Sequence, residues 1–441
     1  MTVIRSSRLL WALIPVLVAL ATLALMRSER PADQRVELSF DFRQTAGTST
    51  DTLIGSLQEK IRKNPKDFDS HIRLANAYLQ KVRETGDPAL YTKTEDLLDE
   101  ARKLEDKSPE LFAARGTLAL ARHDFAAALT HGTRALALDP ENATYYGIVG
   151  DAQIELGMYD EAINSYQEMI DRRPDFDSFS RVAYARELYG DPEGAIEAME
   201  FALQAGSGTP ENVAWAHVQL ANLWFTSGKL EEAQKAYGLS TRTVGAYAPA
   251  LAGQAKISAA RGDLEQAATL YQQAFNRMPL PEYAIALGDV YAEMGEREKA
   301  EEQYDLVRSI DKLLRANGVD TDLEIALFSA DHDIDLQTSL EKARAAYDAR
   351  PSIHAADVLA WTLYKTGNYK EAQEYSSKAL KLGTHDPLKL FHAGMISKAL
   401  GEEEQARTYL QQAVDLNPHF SLLYADEAAD SLQTLKARGE D

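Results

Sequence analysis

A glycine returns along this chain at a nearly fixed interval: Gly157, Gly190, Gly228, Gly262, Gly295, Gly367 and Gly401 lie 33, 38, 34, 33, 72 and 34 residues apart. The long gap is two periods with one glycine missing, near Ile334. Five residues beyond each glycine stands an alanine: Ala162, Ala195, Ala233, Ala267, Ala300, Ala372 and Ala406. Four further on comes a mostly large residue: Tyr166, Met199, Tyr237, Tyr271, Tyr304, Ser376 and Leu410. Prolines that end helices close many of the units (Pro65, Pro109, Pro140, Pro174, Pro279, Pro351 and Pro418). A unit of about 34 residues cannot bury its apolar face alone, so the chain must stack its units into an array.

The residue types fit two antiparallel helices, A and B, in each unit. Small residues in mid-helix A (Gly116, Gly150, Ala183, Ala221, Gly288, Ala360, Gly394) let a neighbouring helix approach, and the alanine early in helix B does so from the other side. A glycine such as Gly295 suits the left-handed conformation that closes helix A. Leu287-Gly288-x-x-Tyr291 followed by Ala300-x-x-x-Tyr304 is the best single copy. With nine or ten copies between about residues 53 and 420, the pattern resembles the tetratricopeptide repeat. That resemblance implies an all-α solenoid, a right-handed superhelix of about ten hairpins that binds protein segments in its concave groove. The segments Pro210–Trp215, Leu280–Tyr283 and Arg350–Asp357 are further similar to those of large bacterial multi-repeat proteins.

Departures from the period locate connections. About ten extra residues fall around Glu84–Pro88 in the first unit, Gly206–Pro210 forms a hinge candidate, and Asn317-Gly318 closes an overlong B helix. Leu422 to Leu435 is amphipathic, as a terminal solvating helix must be. The expected division is residues 1–30 as anchor or signal, 31–52 as polar linker, 53–420 as repeat array and 421–441 as solvating helix and tail.

Leu9 to Met26 is an uncharged apolar run of 18 residues. As a helix it reaches about 27 Å, close to the ~30 Å hydrocarbon core of a bilayer. Arg5 and Arg8 precede it, which favours a cytoplasmic N-terminus and a periplasmic or extracellular array behind a single-pass anchor. Cleavage as a signal peptide at Ala19-Leu20-Ala21, with secretion, is the alternative. In the linker, Val36, Leu38, Phe40 and Phe42 alternate with polar residues at strand period.

With 47 basic against 68 acidic residues the chain carries a net charge of −21. Nucleic acid is thereby disfavoured, since phosphate binding draws on clustered Lys and Arg, and basic or neutral partners are favoured. There is no cysteine, which removes disulfides, thiolate metal sites and Cys nucleophiles. No His-Glu-x-x-His, Gly-x-Ser-x-Gly, Walker or Gly-x-Gly-x-x-Gly motif occurs. No enzyme activity and no cofactor are expected.

One acidic cluster stands out: Asp331, His332, Asp333 and Asp335. A calcium loop needs glycine at its sixth position and glutamate at its twelfth, where Leu336 and Lys342 stand. Aspartates capping a turn explain the cluster; the alternative is a transition-metal site in a metal- or solute-handling accessory of a transport system. For the groove, the helix A positions away from the packing contacts are Asn76, Asp151, Tyr184, Glu187, Asn222, Phe225, Asp289, Phe328, Asp357, Trp361, Tyr364 and Phe391. In chaperone-binding relatives Lys and Asn clamp a partner's terminal carboxylate there. Four residues before Asn76 and Asn222 stand Ile72 and Val218 and not those lysines, so that clamp is not expected. An aromatic and acidic lining remains, suited to a partner segment with basic and apolar residues, and the expected role is a scaffold or co-chaperone-like module.

Overall fold

The computed structural model describes residues 49–438, and among these there are 22 helices and no strand. The apolar run at 9–26 and the alternating segment at 36–42 lie outside the described residues. Among the described residues no helix is long and apolar enough to cross a membrane.

Helix α1 (Thr50–Lys63) precedes ten helical hairpins. In chain order these are α2 (Phe68–Thr85) with α3 (Ala89–Leu104), α4 (Pro109–Ala121) with α5 (Phe125–Leu138), and α6 (Ala143–Glu155) with α7 (Tyr159–Arg172). Next come α8 (Phe176–Leu188) with α9 (Pro192–Ala205), α10 (Pro210–Thr226) with α11 (Leu230–Thr243), and α12 (Ala248–Ala260) with α13 (Leu264–Arg277). The last four are α14 (Pro281–Glu293) with α15 (Arg297–Ala316), α16 (Asp322–Asp331) with α17 (Leu336–Ala349), α18 (Ile353–Lys365) with α19 (Tyr369–Ala379), and α20 (Pro387–Ala399) with α21 (Glu403–Leu416). Helix α22 (Ala425–Arg438) follows, burying Ala428, Leu432 and Leu435 against the end of the array.

The repeat residues act as their spacing implies. A Cβ on Gly150 or Gly288 would run into the ring of Tyr166 or Tyr304 of the same hairpin. Tyr271 and Tyr304 are buried core. Each A helix ends in a left-handed residue, for example Gly157 at φ 70°. The next amide then reaches back over the turn, as Met158 N donating to Gln153 O at 2.9 Å. Where the glycine is missing, Asp333 takes its place at φ 54°, and in the second hairpin His123 does so at φ 62°. The extra residues around Glu84–Pro88 lengthen α2 to a left-handed cap at Gly86 instead of forming a long loop. Gly318 at φ 81° follows the overlong α15.

Hairpins six apart touch. The A–B turn of hairpin 1, at Gly86, meets Met278 and Leu280 before hairpin 7. The turn of hairpin 2 meets the start of hairpin 8, where His123 Nδ1 donates to Asp320 O at 2.8 Å and Asp320 N to Arg122 O at 3.0 Å. In hairpin 3, Tyr159 Oη accepts from Ile353 N at 2.7 Å, before hairpin 9. Gly190 of hairpin 4 lies against the Gly383 carbonyl before hairpin 10. In hairpin 5, Asn417 Nδ2 donates to Phe225 O at 2.8 Å. The array therefore completes a superhelical turn in about six hairpins, and the second turn rests on the rim of the first. The lengthened first hairpin also reaches α10, with Gln80 donating to Glu211 at 3.0 Å.

Candidate functional site

Packing between adjacent hairpins decides what becomes of the expected groove. Phe225, Phe328, Trp361 and Phe391 are 5%, 4%, 2% and 0% exposed. They do not line an open groove, which corrects the expectation drawn from their place on helix A. Trp361 stacks on His392 at 4.2 Å and on Tyr364 at 4.8 Å, and meets Tyr424 edge-on at 5.4 Å. Phe391 lies under Tyr424 and Phe420, so the segment leading into α22 roofs this cluster. Phe328 packs on Tyr304 and His332.

The polar positions are also largely engaged inside the repeats. Tyr166, Tyr237 and Tyr304 donate their hydroxyls to Asp151, Asn222 and Asp289 at 3.0, 2.6 and 2.9 Å, each reaching back 15 residues. Asp151 also takes both ends of the Arg181 guanidinium, at 2.8 and 2.7 Å. Asp357 is buried against His392 Nδ1 at 3.1 Å. Asn76 is exposed, while Tyr184, Glu187 and Tyr364 are half-buried. Tyr184 Oη lies 3.3 Å from His354 Nε2 of the overlying turn.

The acidic cluster does not converge. Asp331 accepts from Trp361 Nε1 and Tyr424 Oη, both at 2.8 Å. His332 Nε2 faces Asp289 at 2.8 Å, Asp333 pairs with Lys365 at 2.8 Å, and Asp335 caps α17 through Thr338 N at 3.4 Å. Among the described residues no three His, Asp or Glu side chains are grouped to hold a metal ion. Asp333 and Asp335 are turn residues with left-handed backbone.

The A helices also carry ionisable side chains whose titration the surrounding protein shifts. Glu282 is exposed, yet desolvation pushes its carboxyl pKa up and Glu324 adds to the rise. Lys256 is in the same condition: exposed, its ammonium pKa lowered by desolvation, and 5.2 Å over the ring of Phe225. Half-buried Glu155 is raised by burial, against the pull of Arg350. Glu187 is pushed up to about 7, by burial and then by Asp386 of the overlying turn, with Lys389 opposing. Glu155 and Glu282 are not among the groove residues expected from the sequence. Their signal was ionisable side chains on helix A, which local periodicity does not separate from an outer solvated face.

The comparisons with known proteins agree on the repeat. Residues 113–175, 354–382 and 390–420 match family models described as tetratricopeptide repeat. Protein CTR9 homolog of Arabidopsis thaliana is 26% identical over 210 residues, covering 45% of this chain and 19% of that protein. Small glutamine-rich tetratricopeptide repeat-containing protein 2 of Saccharomyces cerevisiae is 34% identical over 85 residues, 19% of this chain and 25% of its own. The chain thus spans a quarter or less of the length of these curated relatives.

Among solved structures, the APC/C hetero-tetramer Cut9-Hcn1 is similar at a TM-score of 0.36 and 16% identity, over 96% of this chain and 82% of that one. PilW, a type IV pilus biogenesis factor, gives 0.39 and 14%, over 47% of this chain and 97% of its own. Those scores add nothing to the repeat assignment, which rests on the matched residues and on the hairpins themselves. This chain carries tetratricopeptide repeats, at residues 113–175, 354–382 and 390–420.

Proposed function

We propose that this chain is a non-catalytic scaffold that takes the basic, extended segments of protein partners into the interior of its two-turn superhelix. The observation that carries the reading is the stack of ten helical hairpins, whose A helices hold the exposed Glu282 and the half-buried Glu155 and Glu187. Glu282, whose carboxyl pKa desolvation raises, gains when a Lys or Arg of a partner arrives, because the cation replaces lost solvation. The half-buried Tyr184 and Tyr364 offer apolar area beside them. The reading includes a single-pass anchor and an extracytoplasmic array, supported by the apolar run at 9–26 and the arginines before it.

Cross-linking in intact cells, followed by mass spectrometry of what the chain holds, tests the whole of it. The captured proteins should be extracytoplasmic and rich in basic segments. Glu282→Gln should lower their yield several-fold and flatten its salt dependence, without lowering the melting temperature, because the substitution removes a desolvated charge. Full retention of every partner by Glu282→Gln would remove the interior from the account, and a purely cytoplasmic catch would remove the topology.

A further inference from the structure

The rim contact that joins the two superhelical turns uses only half of the available rims. Hairpins 1 to 5 have their A–B turns covered by the chain six hairpins later. The equivalent turns of hairpins 6, 7, 9 and 10, at Gly262, Gly295, Gly367 and Gly401, meet nothing within 4 Å of a built Cβ and are exposed. At the other end of the array, the connection before the first hairpin is exposed at Asn64 among the described residues.

One of those connections is a copy of a docked one. Asn417, fully buried, caps α21; its Oδ1 accepts from His419 N at 2.8 Å and its carbonyl from Phe420 N at 3.2 Å. This geometry aims Nδ2 at Phe225 O, beside Gly228. Asn64 caps α1 in the same way, with Oδ1 accepting from Lys66 N at 3.3 Å and its carbonyl from Asp67 N at 3.1 Å. A proline follows each asparagine, Pro65 and Pro418, and the backbones agree, with φ and ψ of −135° and 87° at Asn64 and −155° and 106° at Asn417. Asn64 is exposed, and its Nδ2 donates to nothing among the described residues.

The free sockets also repeat the occupied one. Phe225 O accepts from Gly228 N at 2.9 Å and still receives Asn417. Ala259 O accepts from Gly262 N at 2.9 Å in the same way and, among the described residues, takes no side-chain donor. We infer that a second copy of this chain docks by its α1 end on the free rim of the first, placing Asn64 against Ala259 O beside Gly262.

The register follows from the period of six. If α22 of one copy and α1 of the next together fill one hairpin position, hairpin 1 of the second copy falls six places after hairpin 6 of the first. Charge agrees with this docking: Lys63 and Lys66 flank Asn64, while Asp263 and Glu265 follow Gly262. Such a contact joins different surfaces of the two copies, so it leaves a free end each time and builds an open, head-to-tail series.

Sedimentation equilibrium of the full-length chain across a wide concentration range tests this. Its mass should rise with concentration beyond that of a dimer. Asn64→Asp keeps the oxygen that accepts from Lys66 N and removes the donor, and should weaken the association about tenfold, with circular dichroism unchanged. A chain that stays monomeric throughout, or that associates equally well as Asn64→Asp, overturns the inference.

Discussion

The glycines that mark the period show how one residue type answers two demands. Gly190 and Gly262 both hold left-handed backbone, at φ 71° and 79°. An alanine at either position pays the left-handed penalty of roughly 1–2 kcal/mol. Only Gly190 also lies under a carbonyl of the overlying turn, where a methyl group has no room. Gly190→Ala should therefore destabilise the chain clearly more than Gly262→Ala, measured side by side by urea denaturation. Equal losses would mean that the second turn does not rest on the first at hairpin 4. The sequence identifies both glycines as helix caps; it does not distinguish them, because the carbonyl that crowds Gly190 lies nearly two hundred residues away. Trp361 and Phe391 are misplaced for the same reason. Their helix face is legible from the 34-residue pattern, whereas Tyr424, which covers them, belongs to no repeat.

Among the elements, α8 and α20 meet across the two turns and bring ionisable groups together. Glu187 on α8 faces Asp386 and Lys389. Asp386 and Lys389 are themselves paired, and His354 at the start of α18 lies in the same contact. Burial lifts the Glu187 carboxyl from its ordinary value to about 7. A raised carboxyl binds its proton more tightly in the docked state, so it carries no penalty at low pH and a growing one as pH rises through 7. His354 runs the other way. Burial, with Lys389 beside it, holds its imidazole down to about 4, so its cost appears as pH falls below its ordinary value near 6.5.

Glu187→Gln should therefore raise the melting temperature at pH 8 and leave it nearly unchanged at pH 5. Its gain should stay below about 3.4 kcal/mol, the ceiling set by a rise from the ordinary carboxyl value to about 7. A gain that is the same at both pH values would show that Glu187 is solvated, and α8 and α20 apart. The sequence makes each helix and its caps legible, since Asp, Asn and Ser cap positions recur before apolar runs. It leaves the pairing of α8 with α20 illegible, because neither helix carries a local sign of a partner six hairpins on.

At the scale of the whole molecule, ten hairpins between two flanking helices are what the repeat implies, and the matched repeat segments agree with it. The sequence does not reveal that about six hairpins complete a turn and that the next turn seats on it. That seating joins hairpins six apart, while the aromatics expected in an open groove are buried by adjacent helices and the segment before α22. Partner binding and self-association both depend on it, so it is the claim to test first.

Thr92 Oγ1 and Asn317 Oδ1 are 3.0 Å apart across the two turns, and the chain has no cysteine of its own. Thr92→Cys with Asn317→Cys, oxidised mildly beside a control pair within one hairpin at Gln153 and Ser165, reads the seating directly through intact mass and gel mobility. The account predicts an intramolecular disulfide in both pairs. A bond at 153–165 with none at 92–317 would contradict it, leaving the repeats in place and the second turn away from the first.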